Sequence, residues 1–208
     1  PVQQAMMRPR RKNPVLRTRQ MNLPPGARGR IALGLTAAAA EGRFALQVCD
    51  DCGTVQYPPR EACHQCVSHR LRWRDQDGAG VLLSTTTLHH SNDLFFRERL
   101  PWRLGLVRLD AGSTVVVHLH GAVGGAASAT RVKVGARLDR TGQAVLIGFP
   151  PEGGERLIAS TLEDPMLREM SSDPKFRKIL VTDGKTAVGQ AIVHALIDAG
   201  ADLVWVGQ

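Results

Sequence analysis

The chain has 208 residues, enough for one large domain or two small ones. Its formal net charge is +8, and aromatic residues make up only 4% of it. A membrane span needs roughly 18 consecutive apolar residues, and no stretch of the sequence approaches that length. The first residues also lack the apolar core of a secretory signal. Composition therefore predicts a cytoplasmic protein.

The excess of positive charge belongs to one end of the chain. Residues 1–30 contain eight basic residues and no acidic residue, whereas the rest contains 19 of each. Pro24, Pro25, Gly26 and Gly29 oppose helix formation at the end of this segment. Residues 1–29 are therefore predicted to be a basic, flexible extension. Such a segment can bind nucleic acid or an acidic protein surface, or can simply be solvated.

Residues 30–77 combine a short helix with a cysteine-rich segment. The run IALGLTAAAAE, residues 31–41, predicts a helix that ends at Gly42. The run FALQVC, residues 44–49, predicts a strand leading into CDDCGTVQYPPREACHQC. A strand containing Trp73 follows the last cysteine.

The four cysteines form a C-x2-C-x10-C-x2-C pattern and are the only cysteines in the chain: Cys49, Cys52, Cys63 and Cys66. Each C-x2-C pair lets a tight turn aim two sulfurs at one ion, so two pairs complete a tetrahedral S4 shell. Zinc is the metal this pattern favours, and iron in a rubredoxin-like site has the same spacing. Two disulfides are the alternative, which a cytoplasmic location disfavours. Four thiolates leave no open coordination position, so the predicted site is structural.

A β-rich pattern occupies residues 78–152. Short apolar or β-branched runs alternate with Gly, Asp or Asn: GVLLSTTTLHHS, LGLVRLD, TVVVHLHG, ATRVKVGARLDRTG and AVLIGF. Five strands within about 70 residues suit a small closed barrel, although propensity alone does not separate a barrel from a sandwich.

The remainder divides into two parts. Residues 153–174 are polar and bounded by prolines, which predicts a linker. Residues 175–208 then read as strand, helix and strand, the opening of a parallel α/β sheet.

The order of these features resembles the DUF35 proteins, which pair a rubredoxin-like zinc ribbon with an OB-fold. The resemblance covers about residues 30–152 and includes Pro-Pro between the cysteine pairs, GAGVLLSTTTLHH, LPWRLGLVRLDAG and VKVGARL. It implies a mainly β fold: a zinc ribbon plus a five-stranded OB-fold barrel, preceded by a short helix and followed by an incomplete Rossmann-like βαβ unit.

The resemblance also implies a function. DUF35 proteins are typically accessory subunits of thiolase-like enzymes or neighbours of MaoC-type hydratases, which act on CoA thioesters. The expectation is a non-catalytic subunit in an α2β2 heterotetramer with a thiolase-like subunit of the lipid-transfer-protein type. That complex would be a retro-aldol lyase acting on steroid side-chain acyl-CoA, with the substrate bound mainly by the partner.

Outside the cysteines, few residues suggest a site. His89, His90, His118 and His120 are the only candidates for acid–base chemistry in the barrel region, and strand histidines are more often structural. The loop NDLFFRERLPWR clusters three aromatic residues beside arginines: Phe95, Phe96 and Trp102. Aromatic and arginine side chains are enriched at protein interfaces. These three aromatic residues are therefore predicted to contact the partner protein and not to stack on nucleic-acid bases.

Residues 175–208 resemble the start of a short-chain dehydrogenase/reductase in a degenerate form. That family opens with Thr-Gly-x3-Gly-x-Gly, and here Thr182 and Gly189 match, while Asp183 and Ala187 replace two glycines. Thr182, Gly184 and Gly189 would be the positions nearest an NAD(P) pyrophosphate. Asp183 would add a negative charge there and Ala187 would crowd it, so dinucleotide binding is disfavoured.

A lone βαβ unit buries too little surface to be stable by itself. The expectation is therefore that the sequence is a piece of a longer fusion, or that its end packs on something else. Three functions stay open at this point: the accessory subunit, a dehydrogenase fused to a zinc/OB module, and a nucleic-acid-binding zinc/OB protein.

Overall fold

The computed structural model describes residues 23–26, 29–124, 130–151, 163–172, 174–175 and 177–207. Most of the predicted basic extension and part of the predicted linker lie outside these residues. The first elements are a 3-10 helix at Arg30–Ala32 and helix α1 at Leu33–Ala40. Four strands follow: β1 at Ala45–Cys49, β2 at Val55–Gln56, β3 at Leu71–Asp75 and β4 at Ala79–Leu88. Helix α2, Leu94–Arg97, and strands β5, Trp102–Leu109, β6, Thr114–Leu119, β7, Thr130–Leu138, and β8, Ala144–Phe149, follow.

The last elements are helix α3, Pro165–Met170, strand β9, Lys178–Val181, helix α4, Ala187–Asp198, and strand β10, Leu203–Val206. The fold is mainly β, as predicted. None of the described helices is long and apolar enough to cross a lipid bilayer.

The first sheet is an antiparallel ribbon in the order β2-β1-β3. Strand β1 sits in the middle and pairs over its whole length with β3, from Ala45 opposite Asp75 to Cys49 opposite Leu71. Strand β2 adds only two residue pairs on the other side. Strand β1 therefore fixes the position at which the first cysteine leaves the sheet.

Strands β4 to β8 form a closed barrel in the order β4-β5-β6-β8-β7. All pairs are antiparallel except β6 and β8, which are parallel through His118–Ile147 and Leu119–Gly148. This is the arrangement of an OB-fold, so the barrel prediction is confirmed and the sandwich is excluded.

Strand β8 explains why AVLIGF is apolar at nearly every position. Ala144 and Leu146 point into the barrel, where they join the main hydrophobic core. Val145, Ile147 and Phe149 point outward and join a second core beneath helices α2 and α3. A strand buried on both faces needs apolar residues throughout instead of an alternating pattern.

The ribbon and the barrel share one core. Leu35 and Ala39 of helix α1 and Phe44 and Leu46 at β1 belong to the same buried cluster as the barrel interior. Two hydrogen bonds also cross this junction: Ser113 Oγ donates to the Val55 carbonyl at 2.7 Å, and the Ala144 N–H donates to Thr36 Oγ1 at 3.3 Å.

The second core contains an element that sequence reasoning missed. Within the predicted linker, helix α3 packs Leu167 and Met170 against the barrel. The Asp164 carboxylate caps it by accepting from the backbone N–H groups of Met166 and Leu167, and its other oxygen accepts from Gly121 N–H at 2.7 Å. This stretch is therefore part of the folded body. Asp164 followed by Pro165 is a helix-start signal that could have revealed it.

Strand β9, helix α4 and strand β10 form the predicted βαβ unit. The two strands are parallel, from Leu203 opposite Lys178 to Val206 opposite Val181. Thr186 caps the helix by accepting from Gly189 N–H at 3.0 Å. Large apolar side chains stay exposed on this unit, including Leu180 at 60% and Trp205 at 53%. The unit therefore buries little of its own apolar surface, as expected.

Gly34 lies where helix α1 crosses the ribbon. A Cβ at this position would overlap the indole ring of Trp73. In an open helix, alanine is favoured over glycine by about 1 kcal/mol. Here we expect the opposite sign: Gly34→Ala should lower the free energy of unfolding by about 1–3 kcal/mol, because the ring must shift. Denaturant titration measures this difference.

Gly29 provides the matched control. Its backbone is extended, with φ −63° and ψ 153°, which any residue adopts, and a Cβ there meets no atom within 4 Å. Gly29→Ala should change the free energy of unfolding by no more than about 0.5 kcal/mol. A Gly34→Ala protein as stable as Gly29→Ala would contradict the close packing of helix α1 on Trp73.

The docking of helix α3 can be tested in the same way. Leu167 is 2% exposed in the second core, and truncating such a residue to alanine typically costs about 2–5 kcal/mol. We expect Leu167→Ala to fall in this range by denaturant unfolding. Leu33→Ala changes the same residue type where it is 52% exposed and should be nearly neutral. Equal stabilities of the two variants would show that helix α3 is not docked.

Candidate metal centre and aromatic cluster

The structure brings all four cysteine sulfurs together at the tip of the ribbon. Their Sγ atoms lie within 4.8 Å of one another. Cys49 and Cys66 are 3.6 Å apart, as are Cys52 and Cys63, so each close contact joins one thiol of each C-x2-C pair. Cys49 and Cys63 are buried, while the other two are exposed. The predicted thiol cluster is therefore confirmed as one site.

The geometry fits a tetrahedral metal ion. Zn–S bonds of about 2.3 Å in a tetrahedron place sulfurs about 3.8 Å apart, close to the observed spacing. A disulfide requires about 2.05 Å, and all four cysteines are free thiols, so the disulfide alternative is excluded. With four sulfur ligands the ion has no position for water or substrate, and the zinc acts as a structural cross-link.

The thiols differ in their readiness to lose a proton. Hydrogen bonding with the side chain and then the backbone of Thr54 lowers the pKa of Cys52 to about 6. The Ser68 backbone favours the thiolate of Cys66, yet the hydrogen bonds of the other three cysteines and desolvation together outweigh it, and the pKa of Cys66 is raised to about 12. In the metal-free chain one thiolate is thus stabilised first. Metal binding then releases the protons of the others.

Two buried glutamines, Gln47 and Gln56, support the loop between the cysteine pairs. Gln56 Nε2 donates to Gln47 Oε1 at 3.0 Å, and Gln47 Oε1 also accepts from Arg60 N–H at 2.8 Å. Gln56 Oε1 accepts from His64 N–H at 3.1 Å, which positions the turn at Cys63. Sequence reasoning missed this network. Two glutamines on neighbouring strands beside cysteines were the available signal.

Ion pairs anchor the first cysteine turn to strand β3. The Asp50 carboxylate receives Arg74 at 2.8 Å and Arg72 at 2.6 Å. The hydrogen bond from Arg74 is the main cause that lowers the pKa of Asp50. Asp51 pairs with Arg70 in the same way. These arginines therefore neutralise acids next to the metal site, which argues against a free basic patch for nucleic acid here.

The aromatic loop forms a compact cluster against the barrel, which we call the aromatic cluster: Phe95, Phe96, Trp102 and His118. Phe96 stands edge-on to Trp102 at 5.1 Å and stacks on His118 at 6.0 Å. Trp102 Nε1 donates to His118 Nδ1 at 2.8 Å. Phe95 and Trp102 are each only 1% exposed, so within this chain they build the second core. Phe96 is half-buried, and a partner contact through these three residues stays a prediction.

The arginines of this loop are also used within the chain. The Arg99 guanidinium lies over the Phe95 ring, 4.1 Å from its centroid, and donates to the Phe95 carbonyl at 2.9 Å. Arg103 donates to the Val123 carbonyl at 2.6 Å. Stacking of nucleic-acid bases on this loop would have to displace these contacts.

Comparisons with known proteins agree with this geometry. Residues 36–72 match the rubredoxin-like zinc ribbon domain of ChsH2, and residues 73–143 match the C-terminal OB-fold domain of ChsH2. Residues 36–143, which we call the DUF35 unit, therefore carry the DUF35 pairing of zinc ribbon and OB-fold. A solved "Ltp2-ChsH2(DUF35) aldolase" chain matches with a TM-score of 0.52 and 25% identity, over 60% of this chain and 97% of that chain.

A second solved structure is a DUF35 protein of unknown function from Sulfolobus solfataricus. It matches with a TM-score of 0.41 and 16% identity, over 59% of this chain and 86% of that chain. The comparison with curated proteins finds no significant match. The two ChsH2 domain models and the match to the solved aldolase chain confirm the DUF35 resemblance for the ribbon and the barrel.

The histidines of the DUF35 unit have mainly structural surroundings. His118 accepts from Trp102, and His120 lies 5.9 Å from the Phe149 ring while its Nδ1 accepts from Ala122 N–H at 3.1 Å. His64 and His69 are exposed beside the cysteines, as expected of residues that do not bind the metal.

The glycines of the degenerate loop outside the DUF35 unit are explained by packing. A Cβ on Gly189 would overlap the Asp183 carbonyl oxygen, and a Cβ on Gly184 would overlap the Val206 side chain. Gly189 is thus needed for the strand–helix turn itself, whereas Gly184 lets the turn pack against strand β10. Binding of a dinucleotide by Thr182, Gly184 and Gly189 stays a prediction, and a reductase fusion is not established.

Removing two metal ligands tests the role of the metal in the DUF35 unit. We expect Cys49→Ser with Cys52→Ser to abolish the bound zinc, measured as metal per chain by mass spectrometry. Amide hydrogen exchange should rise at residues 50–70, which bury little apolar surface, and should change far less in strands β4 to β8.

His64→Ala is the control, because it changes an exposed neighbour that is not a ligand. It should retain the full metal content. A full zinc content in the double cysteine variant would rule out the S4 site. If the purified protein contains iron instead of zinc, iron is the metal of this site.

Proposed function

We propose that this chain is a non-catalytic accessory subunit of an aldolase complex, paired with a thiolase-like subunit of the lipid-transfer-protein type. The observation that carries the proposal is the match to the Ltp2-ChsH2(DUF35) aldolase, in which the alignment spans 97% of the DUF35 chain. The matches to the two ChsH2 domain models, residues 36–72 and 73–143, support the same pairing of ribbon and barrel.

The residues support a role without catalysis by this chain alone. The metal site is closed by four sulfurs, so it offers no Lewis-acid position. In the described part of the barrel, His118 and His120 are engaged by Trp102, Ala122 and Phe149. Contacts within this chain therefore occupy both histidines, which favours a reaction centre on the partner.

The reaction follows from the family resemblance. A retro-aldol lyase cleaves the carbon–carbon bond next to the hydroxyl-bearing carbon of a 3-hydroxyacyl-CoA and yields a carbonyl product and a shortened acyl-CoA. We propose steroid side-chain acyl-CoA thioesters as the substrate and an α2β2 heterotetramer in the cytoplasm as the assembly. The partner holds most of the substrate, and this chain shapes the complex.

Co-expression with a lipid-transfer-protein-type thiolase homologue tests the pairing. Size-exclusion chromatography with light scattering should show a single 2:2 species, and each protein alone should elute separately. The complex should cleave a steroid-derived 3-hydroxyacyl-CoA, whereas this chain alone should not. Failure to co-elute with any thiolase homologue of the source genome would overturn the proposal.

Two controls separate the alternatives. A MaoC-type hydratase co-expressed in the same way should not form a stoichiometric complex; if it does, the hydratase replaces the thiolase homologue as the partner. Saturable NAD(H) or NADP(H) binding by the chain would instead support the reductase alternative.

A further inference from the structure

An apolar cavity lies on the outer side of the barrel, apart from the metal centre. Its volume is about 300 Å³, at the lower end of the range of about 300–1,000 Å³ for small-molecule sites. It opens between strands β4, β5 and β6 and helix α3, and its apolar walls come from Leu88, Phe96, Trp102, Leu104, Val116 and Met170. Pro24, which is buried, and Pro25 close one side.

The polar groups of this cavity are few, and their hydrogen bonds limit what they can do. Trp102 Nε1 carries a hydrogen and can only donate, so His118 Nδ1, 2.8 Å away, is the acceptor and is unprotonated. A second proton on the ring would place two N–H groups against each other. The hydrogen bond with Trp102 therefore uses the Nδ1 lone pair of His118 within the chain.

The described lining of the cavity carries negative charge only. Asp139 is the only charged residue among the described lining residues, and no Lys or Arg occurs among them. Its Oδ1 accepts from the backbone N–H groups of Thr141 and Gln143 and from Thr141 Oγ1, at 2.6–3.0 Å. The described lining thus contains no Lys or Arg to pair with a carboxylate, and a buried carboxylate without a partner is strongly disfavoured.

We propose that this cavity binds the alkyl or alicyclic part of a neutral, apolar molecule and rejects the corresponding carboxylate. The apolar walls supply the favourable free energy by removing hydrocarbon from water, and the aromatic cluster provides flat, rigid surfaces for it. Charge decides the class of ligand: an ester or ketone is accepted and a free fatty acid is not. The inference concerns the chain alone and does not depend on the proposed aldolase partner.

The test uses the full zinc-loaded chain labelled with ¹⁵N and three probes of similar size: methyl octanoate, octanoate and octyltrimethylammonium. Trp102 reports directly, because its indole N–H lies in the cavity wall and its resonance can be assigned with Trp102→Phe. Methyl octanoate should shift this resonance saturably and bind at least about tenfold more tightly than octanoate, because the carboxylate must lose its hydration without a partner.

A rim substitution should change the charge preference. Val116 is 55% exposed on strand β6, so arginine is accommodated there without burying its charge. Val116→Arg should weaken the ester and strengthen octanoate, which lowers the ester-to-octanoate affinity ratio by about two- to fivefold, the effect of a solvent-exposed ion pair. Gln190→Arg adds the same charge on helix α4, at a position that does not line the cavity, and should leave the ratio unchanged.

Several results would overturn the proposal. Shifts confined to the other tryptophans would place binding elsewhere, and no saturable shift with any probe would mean that the cavity binds none of them. Equal affinity for the ester and octanoate, or an affinity ratio that Val116→Arg does not move, would show that the charge of the lining does not select the ligand.

Discussion

The four-cysteine metal site is the constraint on which the ribbon depends. Between Asp50 and Arg70 only Gln56 and Cys63 are buried, so this tip has almost no hydrophobic core. Structural zinc contributes about 10–16 kcal/mol of apparent binding free energy in small zinc peptides, far more than the remaining contacts can supply. The buried glutamines and the pairs of Asp50 with arginines then set the direction of the cysteine turns. Without these contacts, the four sulfurs alone would not fix the loop between the two cysteine pairs.

Below the tip, the ribbon is fixed to the barrel by shared hydrophobic core. Strand β1 contributes Leu46, and helix α1 contributes Leu35, to the cluster that fills the barrel. The ribbon therefore cannot swing freely on a linker. The metal tip and the barrel therefore form one continuous surface, and loss of the metal would disturb only its outer part.

The outer face of the barrel differs from the inner one. Helix α3 and the aromatic cluster cover part of strand β8, yet they leave a cavity with apolar walls beside the His118 imidazole. The same cluster thus gives stability through Phe95 and Trp102 and leaves an accessible surface at Phe96. The βαβ unit contrasts with this arrangement: its two-stranded sheet leaves Leu180 and Trp205 largely uncovered.

The sequence by itself determined the features that local spacing encodes. The C-x2-C pairs specify an S4 site, and the β-branched runs specify strands, because each depends on neighbours a few residues away. Only the tertiary structure decided which faces are buried. It placed Trp102 inside the second core, paired its indole with His118 from another strand, and docked helix α3 on strand β8, since contacts between distant segments leave no fixed spacing in the chain.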